Sequence, residues 1–369
     1  MIRCIEECGD GNPASVHHAG QRARRMIENA RERVSNLIGA PARSLVFTSG
    51  GSEANNLAIF GAAEASPPAR RAIVSSAIEH SSVLAPLARL ESQGFEVVRA
   101  TPDADGRLAP QRIIDAIDSR TALVTLALAN AETGTVQELA PVAEAAAREG
   151  VLFHIDAAQA VGRMAVSVSE LGCALMTLSA HKLGGPAGIG ALYVRQGVVI
   201  AQQILGGPQE RGLRAGTPNL IGAVGFGAAA EESARVIGEE SQRVTALGDA
   251  LLQDLGIEIP GLRLNGPRFG RIGNTLNLTF PGVLGESLLI ALDLEGVEVS
   301  MGSACAAGAV EPSHVLTAMG RSAAEARSSL RLSLGWNTAA EEIALAGEII
   351  PRVWRRVASA EPSAGEALR

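Results

Sequence analysis

Between Ser44 and Val194 the chain alternates short apolar runs with stretches of helical spacing, and this alternation narrows the possible folds most. SLVFT (44–48), RAIVSS (71–76), FEVVR (95–99) and TALVTLALA (121–129) read as strands, followed by VLFHI (151–155) and ALMTLSA (174–180). Helical patterns lie between them, starting near Ser52, Ser82, Pro110 and Leu139. Strands that alternate with helices build a mostly parallel sheet flanked by helices, an α/β architecture. Only a loop separates ALMTLS from GALYV (190–194), too short for a crossover helix, so one of these two strands should run antiparallel. Upstream, apolar residues at helical spacing predict a helix over 19–38, stopped by Gly39, and Ser52 is expected to cap the helix that follows SLVFT.

After about Ile237 the alternation ends. A charged helix near 239–255 leads to TLNLTF (275–280), a helix from Glu286, a short strand near Val297, SLRLSL (329–334) and a last helix over 339–357. We therefore expect a large domain over 1–237 and a smaller α+β C-terminal domain over 238–369, in a chain of 369 residues that is 47% hydrophobic.

Charge removes several classes of function. A net charge of -7 argues against nucleic acid or an anionic membrane as the main partner. No apolar run reaches spanning length, and MIRCIEECGD lacks the apolar segment of a signal peptide, so a cytoplasmic location is expected. Cys4, Cys8, Cys173 and Cys305 are too irregularly spaced for a disulfide framework. With no CxxC pair or HExxH, no metal site is expected.

Two strands end in ionisable groups. VLFHI delivers Asp156, and ALMTLSA delivers His181 and Lys182 ahead of the glycine-rich GGPAGIG. Strand carboxyl ends are where α/β folds build sites. A lysine in dry surroundings has a lowered pKa and can form a Schiff base with a carbonyl. A buried carboxylate needs a partner, and a pyridinium N–H is one that also explains the lysine. Gln159 offers an amide one turn on, although its spacing fits a surface residue equally well. His154 shares a strand face with Asp156 and is read as its support. His80, after another strand, can stack on a planar ring or move a proton, and alone it also fits a structural histidine. The Gly50–Gly51–Ser52 turn into a helix is a weak phosphate-cradle signal, strengthened by Ser179 and His181 beside Lys182. Cys305 lies among small residues that cannot pack a rigid core, so a mobile loop carrying a nucleophile is expected. Arg331, flanked by leucines, wants a carboxylate, either a substrate's or a structural partner's.

These residues sit in motifs that resemble those of the cysteine desulfurases, pyridoxal-phosphate enzymes of aminotransferase class V and fold type I. The resemblance runs from Gly11 to about Val357 through GNPAS (11–15), FTSGGSEANN (47–56), the EH of IEHSS, NAETGTVQ (130–137), HIDAAQAVG (154–162), LSAHKLGGPAGIGALYV (178–194), RAGTPN (214–219), GSACAAGAVEPSHVL (302–316) and SLRLSLG (329–335). The long segment around Cys305 is similar to that of the iron–sulfur assembly and nitrogen-fixation group.

The resemblance implies pyridoxal 5′-phosphate held by Lys182 as a Schiff base, with Asp156 on the pyridine nitrogen, His80 stacked on the ring and Gln159 on the phenolic oxygen. It implies a phosphate site of Gly51, Ser52, Ser179 and His181, with Thr217 reaching in from the second subunit of a homodimer. Asn130 also belongs to the cofactor site, and with Arg331 it holds the carboxylate of L-cysteine, while Asn12 lines the same pocket. Lys182 takes and returns the α-proton, and the Cys305 thiolate attacks the substrate sulfur, leaving alanine and a persulfide. A sulfur-acceptor protein, such as an iron–sulfur scaffold, then receives it. MIRCIEECGD stands where relatives carry a segment of the type YLDxAATTP, so no role is carried over to residues 1–10. The C-terminal extension with which some relatives dock a scaffold is short here. Selenocysteine lyase, another class V aminotransferase or lyase, and an inactive paralogue are the competing readings.

Overall fold

The computed structural model describes residues 1–8, 11–302 and 311–360. Two compact units emerge. The first comprises Met1–Ala100, Ala109–Leu128 and Glu138–Ile237, and the second Thr101–Leu108, Ala129–Gln137 and Gly238–Arg369.

The first unit is the α/β part. In chain order it holds α1 (Ile2–Cys8), α2 (His18–Leu37), β1 (Leu45–Thr48), α3 (Gly51–Ala65), β2 (Ala72–Ser76), α4 (Ser81–Ser92) and β3 (Glu96–Ala100). There follow α5 (Pro110–Ile114), β4 (Thr121–Ala127), α6 (Ala140–Arg148), β5 (Leu152–Asp156), α7 (Val168–Leu171), β6 (Leu175–Ser179) and β7 (Gly190–Val194). The seven strands form one sheet in the order β1-β7-β6-β5-β4-β2-β3. Only β7 is reversed, pairing antiparallel with both β1 and β6, as the short connection after ALMTLS requires. Parallel strands need both faces covered, and α3 supplies much of one cover through Leu57, Ala58, Ile59 and Ala62, all buried among strand residues Val46, Leu123 and Leu175.

The chain then enters α8 (Leu220–Glu258), far longer than the 239–255 expected from charge patterning. Its first half, LIGAVGFGAAA, lacks the polar face that marks a helix in sequence. Its small residues have a packing role: a Cβ added to Gly227 would stand 2.7 Å from the Cα of Ala30 in α2. The second unit continues with β8 (Arg263–Leu264), β9 (Thr275–Thr279), α9 (Gly285–Asp293), α10 (His314–Ala318), α11 (Ala323–Arg327), β10 (Ser329–Ser333) and α12 (Ala340–Ala360). Its antiparallel sheet has the order β10-β9-β8 and shares a core of Leu276, Leu278, Leu288, Leu330 and Ile350 with the neighbouring helices.

The strand expected near Val297 does not form. Gly296 turns the chain with φ +81°, and only Ser300 exchanges backbone hydrogen bonds, with Arg331, as an isolated bridge. No helix among the described residues is long and apolar enough to cross a membrane.

Candidate active site

In the first unit, the carboxyl ends of β5 and β6 meet the first turn of α3. Asp156 closes β5 and is 7% exposed. Its Oδ1 accepts the backbone N–H of Ala158 at 3.0 Å, and its Oδ2 accepts from Asn55 Nδ2 at 2.7 Å. Both donors are neutral, so the carboxylate stays available to a cationic N–H. Asn55, one turn into α3, also donates from Nδ2 to Ser82 Oγ at 2.8 Å. Asn55 lies within FTSGGSEANN among polar neighbours, and nothing local in the sequence marks it as buried.

His80 caps α4. Its Nδ1 accepts the backbone N–H of Ser82 at 3.1 Å and lies 2.8 Å from Ser82 Oγ. An Nδ1 that accepts a backbone N–H leaves Nε2 to carry the ring proton.

Two further titratable groups flank Asp156. His154 is fully buried, with Nδ1 2.8 Å from Thr125 Oγ1 on β4 and Nε2 3.0 Å from Thr177 Oγ1 on β6. Burial pushes its pKa down to about 4, against the opposing pull of the Asp156 charge. The imidazole stays neutral and fastens β5 to both neighbours, supporting Asp156 through strand register. Glu79, the neighbour of His80, is 1% exposed. Its Oε1 accepts from Ser76 Oγ at 2.6 Å. Burial pushes its pKa up to about 8, the Asp156 charge acts in the same direction, and bonds from Ser76 and the Ala127 backbone oppose it.

Ser52 was expected to cap α3, but the helix begins earlier, with Gly50 at the cap and Ser52 inside the first turn. The turn is closed by Thr48 Oγ1 donating to the Gly50 carbonyl at 2.9 Å and by Glu53 Oε2 accepting the Ser49 N–H at 2.8 Å. A Cβ on Gly190, the first residue of β7, would meet the carbonyl carbon of Gly50 at 2.6 Å, so glycine there lets the turn lie against the sheet. A Cβ on Gly51 would stand 3.4 Å from Ser179 Cβ. The helix start, Ser179 and His181 are thereby gathered, with Ser179 Oγ 3.0 Å from His181 Nδ1. Burial and the positive charges of Lys182 and Arg163 hold the His181 pKa below its usual value.

Lys182 lies in the short 3-10 turn Ala180–Leu183 and is half-buried. Gln159 Oε1 accepts from Arg163 Nη1 at 2.5 Å, which turns the amide so that Nε2 is what it can offer a ligand oxygen. Thr217 is exposed, three residues after Arg214, whose Nε donates to Glu53 Oε1 at 2.9 Å. Asn12 is exposed too, and its Oδ1 accepts the Ala14 N–H at 2.9 Å in a local turn. Cys173 is a buried thiol with its pKa pushed up to about 12 by burial.

In the second unit, Asn130 is buried and its Oδ1 accepts the backbone N–H groups of Glu132 and Thr133 at 2.9 and 3.0 Å. Arg331 Nη1 donates to the Ala131 carbonyl at 3.2 Å, joining β10 to the Asn130 turn. Its Nε is buried without a hydrogen-bond partner, and no carboxylate pairs with it among the described residues. Glu132 Oε2 accepts from Ser313 Oγ at 2.5 Å. Cys305 and the loop expected around it lie outside the described residues.

Compared with known proteins, the chain matches the family model for aminotransferase class-V over residues 6–345. It is 41% identical over 352 residues to a cysteine desulfurase IscS of Dictyoglomus turgidum (strain DSM 6724 / Z-1310), covering 95% of this chain and 89% of that protein. Among solved structures it is similar to a NifS-like protein, with a TM-score of 0.90 at 31% identity, over 96% of this chain and 94% of that one. A structure described as SspA in complex with cysteine aligns with a TM-score of 0.79 at 34% identity, over 90% and 93% of the two chains.

Proposed function

The chain belongs to the class-V aminotransferase family, and from that premise we infer that it is a pyridoxal 5′-phosphate-dependent cysteine desulfurase acting on L-cysteine. The observation that carries this reading to individual residues is the buried Asp156, held by two neutral donors beside the Gly51–Ser52 helix start and the Ser179–His181 pair. These residues fit the cofactor: the carboxylate answers a protonated ring nitrogen, and the helix start with a serine and a histidine answers a phosphate. Bound there, pyridoxal phosphate supplies an electron sink for the carbon skeleton of the amino acid.

The chain's own residues do the rest. Asp156 pairs with the ring nitrogen, and Gln159 Nε2 donates to the phenolic oxygen. Gly51, Ser52, Ser179 and His181 hold the phosphate, and Thr217 completes that site from the second subunit of a homodimer. His80 covers the ring and has Nε2–H to donate. Lys182 holds the cofactor and moves the α-proton of the substrate. Asn130 and Arg331 take the substrate carboxylate, supported by the unpartnered Arg331 Nε, and Asn12 is a further substrate-binding residue. The Cys305 thiolate forms a bond to the substrate sulfur as the carbon–sulfur bond breaks. The balance is L-cysteine plus enzyme thiol giving L-alanine plus enzyme persulfide, which passes to a sulfur-acceptor protein for iron–sulfur cluster or thio-cofactor synthesis. We further propose that residues 1–237, apart from 101–108 and 129–137, which group with the second unit, form the cofactor-binding domain and 238–369 the domain presenting Cys305. We assign the protein to the cytoplasm, where persulfide-forming thiols stay reduced.

Purified protein given L-cysteine and a thiol reductant should release alanine. Lys182→Ala should lose both this activity and the visible absorbance of bound cofactor. Cys305→Ser should keep the absorbance and lose the activity. Alanine release by Cys305→Ser at the wild-type rate refutes transfer to that thiol, and would direct attention to a selenocysteine lyase.

A further inference from the structure

The sequence motifs account for the residues expected to touch the cofactor, but not for what holds Asp156 and His80 to one another. Asn55 is 1% exposed and lies four residues after Gly51, on the same face of α3. Both hydrogens of its Nδ2 are committed, one to Asp156 Oδ2 at 2.7 Å and one to Ser82 Oγ at 2.8 Å. Ser82 in turn meets His80 Nδ1 through its hydroxyl at 2.8 Å and its backbone N–H at 3.1 Å. The remaining group of the amide, Oδ1, is buried with no hydrogen-bond partner. A buried, unsatisfied carbonyl is costly, and flipping the amide would place it against a carboxylate, which is worse. The side chain is therefore fixed as a double donor.

We propose that Asn55 is a positioning residue that sets Asp156 and His80 in a single register with the phosphate cradle, all from the first turn of α3. Four residues of helix advance about 6 Å along its axis. One rigid turn thus carries the cradle at Gly51 and Ser52 and, at a fixed spacing, the donor that orients Asp156. Through Ser82 the same amide reaches the residue that caps α4. The bond from Asn55 to Oδ2, with that from the Ala158 N–H to Oδ1, fixes the rotation of the Asp156 carboxyl group. This inference rests on the reading of Asp156 and His80 as cofactor residues.

The test uses full-length protein stripped of cofactor and titrated with pyridoxal phosphate, following visible absorbance, with the pH at which the bound band titrates as a second readout. Asn55→Asp keeps the size of the side chain but removes both donors; Asn55→Ala removes the side chain. Each should weaken cofactor affinity about tenfold or more and displace the band's titration midpoint by at least half a pH unit. Ser82→Ala leaves the Asn55–Asp156 bond in place and, lying at the start of α4, tests the arm to His80 if the Asn55 variants fail to fold. It should displace the same midpoint while affinity changes less than threefold. Wild-type affinity and midpoint in Asn55→Asp overturn the inference, as does a wild-type midpoint in Ser82→Ala. Wild-type protein that takes up no pyridoxal phosphate defeats instead the site reading on which the inference stands.

Discussion

Burying Glu79 beside Asp156 should leave a signature in the pH dependence of stability. Its folded pKa is about 8, raised from 4.5, chiefly by burial. For a carboxyl raised on folding, the unfolded chain releases its proton first. The stability it contributes is fully present below pH 4.5 and is lost as pH rises, until the folded group also ionises near pH 8. Between pH 6 and pH 8 the loss comes to about 2 kcal/mol, at 1.36 kcal/mol per unit with the curve flattening near its upper end. Glu79→Gln removes the titration and keeps the shape, and a neutral amide can still accept from Ser76. The variant's advantage over wild type should therefore grow by about 2 kcal/mol across that interval, which corresponds to an apparent Tm difference widening by a few degrees. Thermal unfolding of cofactor-free protein in matched buffers at pH 6 and pH 8 measures it. A difference between the two proteins that stays constant with pH would refute the argument, because a lost contact alone has no such slope.

Other consequences are as direct. His154 is buried with its pKa lowered to about 4, so the stability it gives is present above about pH 6.5 and declines as pH falls toward 4; the loss is on the order of 3 kcal/mol, and His154→Gln should lack it in urea unfolding at pH 7 and pH 4.5. Arg31 and Glu210 form an ion pair at 2.6 Å with side chains 5% and 4% exposed; Arg31→Ala strands the carboxylate and should cost about 3–5 kcal/mol, seen as a large fall in Tm. Gly190→Ala forces a Cβ to within 2.6 Å of the Gly50 backbone; it should weaken pyridoxal phosphate binding measurably while circular dichroism stays near wild type. Arg331→Lys removes the fork for a carboxylate and should raise KM for L-cysteine at least tenfold with a smaller change in kcat.

What sequence could reveal here depended on contrast. The strands of the large sheet were legible because apolar runs stand between helical patterns, and the reversal at β7 followed from the length of a loop. Asp156 and Lys182 were conspicuous as charges directly after apolar strands. The first half of α8 was hidden because a helix packed through glycine and alanine shows no polar face, and its glycines read as loop. Asn55 and Glu79 were hidden for the opposite reason: a polar residue among polar neighbours gives no sign of burial until the fold places it. Arg331 reaches the turn at Asn130 through the carbonyl of Ala131, 200 positions away, and no local pattern encodes it. The expectation for Asn130 came from resemblance alone, whereas Arg331 among leucines already asked for a carboxylate.

The reversed strand β7 has a further mechanical consequence. Lys182 stands on a hairpin whose feet are paired, with Ser179 opposite Gly190. Lys182 is therefore anchored by a backbone ladder, with no crossover helix between those feet. Extra residues inserted after Gly185, beyond the Gly184 and Gly185 N–H bonds that close the turn on the Ala180 carbonyl, can loop outward without moving Lys182. A one-residue slip within Leu175–Ser179 would turn Ser179 to the other face and carry Lys182 along. Tolerance to changes of length is thus lopsided about the lysine, generous on its carboxyl side and absent on its amino side.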